Sequence, residues 1–186
     1  MGVPSGMIAY HLDYDAGAWL PVPADSGDGW PEAVVDHYRA GLGDLTPALE
    51  GALRRVGETA LRMRTELTGH LLVFCPVSLA PAIGFLGVQV LQDADTELDA
   101  AVMDDPAAVL LPNVESIHDE YWGSGRRAAV VTGSSREDVQ GGRFNYAFRR
   151  GDSLLVATAF ADTIPYATVM QPYADRLITS VRLEDE

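Results

Sequence analysis

Hydrophobic positions between Thr46 and Leu67 recur every three or four residues: Leu49, Leu53, Val56, Ala60, Met63 and Leu67. That spacing is helical and holds for five turns, with Thr46 placed to cap the helix and Pro47 to open it. Glu50 with Arg54 and Glu58 with Arg62 stand four apart on the polar face, each pair worth roughly 0.3 kcal/mol. Gly57 is the one mild defect. A shorter helix is predicted from Pro31, because Trp30, Val34, Tyr38 and Leu42 share a face and Gly41 and Gly43 end it.

Outside these helices the pattern belongs to strands and turns. Met7–Tyr14 has the β-branched and aromatic content of a strand, and Trp19–Pro23 followed by Ala24–Gly29 reads as a loop. After Gly69, strand material is predicted at His70–Cys75, Gly84–Leu91, Ala107–Leu111, Val114–His118 and Arg127–Thr132. Thr96–Val102 reads as a turn or two of helix capped by Thr96, Asp104-Asp105-Pro106 as a turn, and Gly133–Gly142 as a polar loop. Glu120–Gly125 is predicted to be a loop that exposes Tyr121 and Trp122. The strongest hairpin signal pairs Arg143–Arg149 with Ser153–Phe160 across Arg150-Gly151-Asp152. A last helix places Val169, Tyr173 and Leu177 on one face, with Pro172 kinking or restarting it, and Thr179–Leu183 adds a final strand.

This order predicts a single α+β domain over residues 1–186. A mostly antiparallel sheet packs against the long helix of the N-terminal half and a C-terminal helix. The long helix is expected to lie on the part of the sheet holding Phe85, Val88, Phe144 and Phe160.

Composition narrows the function classes. The chain has 186 residues, 47% of them hydrophobic and 22% charged, enough for a folded core. No apolar run reaches the roughly 20 residues a membrane span needs, and the N-terminus lacks the pattern of a secretory signal. One cysteine forms no internal disulfide, which fits a reducing cytoplasm. A net charge of -14 argues against nucleic acid and anionic membranes as partners. Every basic residue is arginine and alanine is abundant, a composition that points to a bacterial source.

No catalytic set assembles in sequence. Cys75 lies in an apolar run closed by Pro76 and reads as a buried structural thiol. His11, His37, His70 and His118 lack metal-ligand spacing, and His118-Asp119-Glu120 lacks the paired cysteines of a zinc deaminase. The glycines at 123 and 125 form no dinucleotide motif, and without lysine there is no phosphate-binding P-loop. Gly133-Ser134-Ser135-Arg136 is no nucleophile elbow. Asp93-Ala94-Asp95 and Asp104-Asp105 read as solvated acidic turns. No cofactor and no metal is expected.

Tyr121, Trp122, Arg126 and Arg127 are the candidate binding residues, because aromatics and arginine are enriched at the centres of protein interfaces. The ordinary alternative is a loop that tucks Trp122 onto the sheet edge.

Trp19-Leu20-Pro21-Val22-Pro23 ahead of the first helices resembles the entry of the PsbP/Mog-like fold family. The ending is similar too: the hairpin Phe144–Phe148 with Leu154–Phe160, Pro165, and Tyr173–Val181 closing in Ile178-Thr179-Ser180-Val181. The long helix from Thr46 departs from that family. The resemblance implies an adaptor or partner-binding protein and no site residue by position.

The sequence thus favours a non-catalytic bacterial protein that binds another protein, as an adaptor, secretion-system accessory or immunity factor. The alternative is an enzyme or small-ligand binder whose groups, for instance His118, Asp119 and Arg143, converge between helix and sheet. A pocket favours the alternative and an open surface the first reading.

Overall fold

The structure is a computed structural model that describes residues 6, 8–24, 29–66, 69–80, 82–93, 95–133 and 139–184. Residues 25–28 of the first loop, Leu67, Ala94 of the first acidic turn, residues 134–138 of the polar loop, and the last two residues of the acidic tail lie outside the described residues.

Seven strands form an antiparallel sheet in the order β2 (Trp19–Pro21), β3 (His70–Phe74), β4 (Gly84–Gln92), β8 (Ser153–Ala161), β7 (Gly141–Arg150), β6 (Gly123–Thr132) and β5 (Asn113–Asp119). β1 (Tyr10–His11) and β9 (Arg182–Leu183) form a separate two-stranded pair. With the helices α1 (Trp30–Leu42), α2 (Pro47–Glu66), α3 (Leu98–Met103) and α4 (Ile164–Ile178), the molecule is α+β. No helix among the described residues is long and apolar enough to cross a membrane.

Side chains alternate across a strand, so each strand here feeds two cores. Leu72, Phe74, Leu86, Val88, Tyr146, Phe148 and Leu155 pack on one face with Ala167, Met170 and Ala174 of α4. Leu71, Val73, Cys75 and Phe85 point the other way, into Val34, Val35 and Tyr38 of α1 and Leu53 and Ala60 of α2. Further along that second face, Val102 of α3 closes over Ala128, Val130, Ala147 and Leu154. The expectation that α2 covers Phe85, Val88, Phe144 and Phe160 together is corrected by this alternation. Phe85 and Phe160 lie on the α2 side, and Val88 and Phe144 on the α4 side.

Gly57 is no defect. A Cβ there would stand 2.5 Å from Cα of Pro31, so glycine lets α1 and α2 cross in close contact. α4 runs through Pro172 without a break. It buries Ala167, Met170, Ala174, Leu177 and Ile178, while Val169 is exposed; spacing by four alone drifts off a 3.6-residue period.

Four local readings also change. The strand expected over Ala107–Leu111 is reduced to a single bridge between Ala108 and Thr132. Of the strand expected from Met7 to Tyr14, Met7 lies outside the described residues and only Tyr10–His11 is strand, while Ile8 N–H donates to Val90 O of β4. Trp19–Pro21 pairs with β3 where a loop was expected. The loop expected over 120–125 is a tight turn, and β6 already begins at Gly123, whose φ of 79° suits glycine.

Candidate functional site

Tyr121, Trp122, Arg126 and Arg127 do not form one surface. Trp122 is 2% exposed, packed in the core of the α4 face, and its Nε1–H donates to Val181 O at 2.9 Å. The turn puts it there: Asp119 Oδ1 accepts from the N–H groups of both Tyr121 and Trp122 and folds the chain back. Of the two readings of this segment, the exposed Trp122 is corrected and the alternative, a turn that tucks its ring against the sheet, is what the structure has. Tyr121 is half-buried, with the guanidiniums of Arg150 and Arg182 over its ring at 4.2 and 4.6 Å.

Arg126 and Arg127 are neighbours on β6 and so point to opposite faces. Arg126 pairs with Asp99 on α3 at 2.5 Å. Arg127 bonds Asp175 on α4 and Glu115 on β5, at 2.6 and 2.7 Å. Burial works against the Arg127 charge, but the hydrogen bonds to the two carboxylates outweigh it and raise its pKa. Tyr146 donates its hydroxyl to Asp175, and burial with that nearby carboxylate pushes the phenol up. Arg127 ties strand to helix.

The histidines stay scattered. His118 borders a hollow of about 260 Å³ on the α4 face with Arg127 and Asp175, and Asp119 is engaged by its turn. His118 and Asp119 pair with Ser124 and Gly123 at one end of β6, whereas Arg143 pairs with Val130 six residues beyond Ser124, so the trio His118, Asp119 and Arg143 does not converge. His37 sits against Cys75 O at 2.9 Å, and His70 meets Tyr10 edge-on. Cys75 is buried, and that burial pushes its thiol up to about 12. Among the described residues, no three of His, Cys, Asp and Glu cluster as metal ligands.

Two features were missed by sequence reasoning. The first is a polar network under α3. Asp105 is buried, and Arg143 Nη1 donates to both its oxygens at 3.0 and 2.9 Å. Asn145 donates to Asp105 Oδ2 and to Val102 O, and accepts from Thr158 Oγ1. Burial pushes the Asp105 carboxyl up, but hydrogen bonds from Asn145 and Ala107 N–H, with the Arg143 charge, win and hold it below the ordinary range. Beside this network α2 and α3 leave the centre of the sheet uncovered. The groove there has a volume of about 480 Å³ and is lined by Met63, Gly87, Gln89, Val156, Thr158 and Phe160, with Arg143 at its polar end.

The second is an apolar bulge at the sheet edge. Ala108 pairs with Thr132, and Asn113 pairs with Ala129. Between those two points the edge chain fits Val109–Pro112 against only Val130 and Val131, so it must bow outward. Val109, Leu110 and Leu111 are 52%, 61% and 86% exposed. Leu110 and Leu111 also rim a shallow hollow of about 220 Å³ with Phe144, Ile164 and Ala167, next to the free edge of β5. The signal was present as Val109-Leu110-Leu111-Pro112, since Pro112 has no N–H for a ladder.

No family model matches this chain, and no curated protein matches it.

Proposed function

We infer that the protein is a non-catalytic binding protein whose partner docks on the apolar bulge Val109–Leu111 and the adjoining edge of β5. The observation that carries this reading is the exposure of three consecutive large aliphatic residues at a free sheet edge. Folded monomers seldom display contiguous apolar residues of this kind without a partner to cover them. Carboxylates stand exposed at Asp104 and Asp162, in a chain of net charge -14. The partner therefore presents an apolar centre with a basic rim, and opposite charge speeds their encounter. The adaptor role that the PsbP/Mog-like resemblance implies, and the cytoplasmic location that the single cysteine suggests, are part of the same proposal.

The interface moves from the Tyr121–Arg127 segment to the bulge. Trp122 is spent on the core, and Arg126 and Arg127 hold carboxylates of the chain itself.

The test is a side-by-side capture. Immobilised wild type and the double variant Leu110→Asp, Leu111→Asp are exposed to lysate of the encoding organism. A basic protein retained by the wild type and lost from an equally stable double variant is the expected result. Identical capture by both proteins overturns the reading.

A further inference from the structure

We propose that the groove between α2 and α3 is a binding site for a small amphipathic carboxylate, with Arg143 holding the acid and the groove holding its hydrocarbon body. Arg143 also borders the hollow under Leu110 and Leu111, so the trough residue Gly87, which lines only this groove, is what separates the two sites in a test.

The first ground is shape and lining. A volume of about 480 Å³ lies within the range of small-molecule sites. Met63 from α2, Val156 and Phe160 from β8, and the side-chain-free Gly87 of β4 make an apolar trough. Gln89 and Thr158 add polar groups at its floor.

The second ground is the unfinished hydrogen bonding of Arg143. Its guanidinium engages Asp105 through Nη1. Nε is buried and has no hydrogen-bond partner. Buried N–H groups almost always find an acceptor, so a missing one calls for explanation. The guanidinium is a planar fork of donors with no acceptor of its own, and a carboxylate in the groove meets the exposed part of this side chain, 27% of it, rather than the sealed Nε. Asp105 is not a competitor for the same space. It is already filled by Arg143, Asn145 and Ala107 N–H, and it fixes the fork in place. The Phe160 ring lies 5.5 Å from the guanidinium carbon, so apolar and charged contacts meet at one point. A ligand with a single acidic end and an apolar tail satisfies both.

Decanoate, decanol and methyl decanoate are suitable probes, with binding followed by calorimetry on the full chain. Decanoate should bind the wild type, and the alcohol and ester should bind at least 10-fold more weakly. Arg143→Gln should weaken decanoate at least 10-fold. Since that substitution also disturbs Asp105, Gly87→Leu provides a second test, because Gly87 lines the trough on β4, two strands away from Arg143 on β7. It too should weaken decanoate at least 10-fold while remaining folded. Absence of decanoate binding to the wild type overturns the proposal. So does equal affinity for acid and alcohol, or full affinity in folded Gly87→Leu.

Discussion

Arg143 on β7 and Asp105 just beyond α3 are 38 residues apart in sequence and joined by two hydrogen bonds from one nitrogen, at 3.0 and 2.9 Å. The pair fastens the chain between α3 and β5 to the middle of the sheet, and the apolar bulge begins within that same connection. Asp105 is 2% exposed at its side chain and Arg143 27%, so the bond is sheltered on the acid's side.

Because the folded protein holds Asp105 below its usual pKa, the carboxylate contributes stability above the unfolded value near 3.9. That contribution is lost as pH falls through the lower folded value. Asp105→Asn should therefore be less stable than wild type by about 2 kcal/mol at pH 7, the scale of a disturbed buried charged hydrogen bond. The gap should close below roughly pH 4. Urea unfolding of both proteins from pH 7 to pH 3 measures it, and a gap that stays constant contradicts the account.

Leu53 is 1% exposed and sits among Val34, Tyr38, Leu71 and Val73. Leu53→Ala should cost about 2–5 kcal/mol. A melting temperature within a degree of wild type would show that α2 does not rest on the sheet.

Trp122 offers a graded test of its core role. Trp122→Phe keeps an aromatic ring but removes one of the two donors to Val181 O, the other being Arg182 Nη1, a loss of about 0.5–1.5 kcal/mol. Trp122→Ala also removes the buried ring and should cost about 3–5 kcal/mol. Equal stability of the two variants in denaturant melts would contradict this ordering.

Cys75 should be inert in the native state. Its thiol is buried and pushed up to about 12, so almost none is thiolate at neutral pH. Labelling by a thiol reagent should be slow and should accelerate on denaturation. Rapid stoichiometric labelling of the folded protein at pH 7 is the opposing result.

The elements that sequence made legible are those whose periodicity carries the information locally. The α2 stripe through Leu53 and Ala60 and the β7–β8 hairpin around Gly151 appear as expected. What periodicity could not show is which strand faces share a core, since Val88 and Phe85 read equally apolar. Nor could it distinguish Asp105 from its exposed neighbour Asp104, because burial of Asp105 depends on Arg143 and Asn145, distant in sequence. Trp122 had the composition of an interface anchor, but the turn at Asp119 decides that its ring points inward. The bulge at Val109–Leu111 was hidden for a related reason. Pro112 marks a break in the ladder locally, but how far the chain bows follows from the pairing register with β6, set by residues distant in sequence.

The central claim is that an apolar bulge rather than the Trp122 turn is the binding surface. Its most direct test is the affinity of the captured partner for wild type and for Leu110→Asp, Leu111→Asp, measured by calorimetry alongside the melting temperature of each. The account predicts a loss of at least 30-fold in affinity with the melting temperature unchanged, because both side chains are already in solvent. Undiminished affinity in the double variant would contradict it.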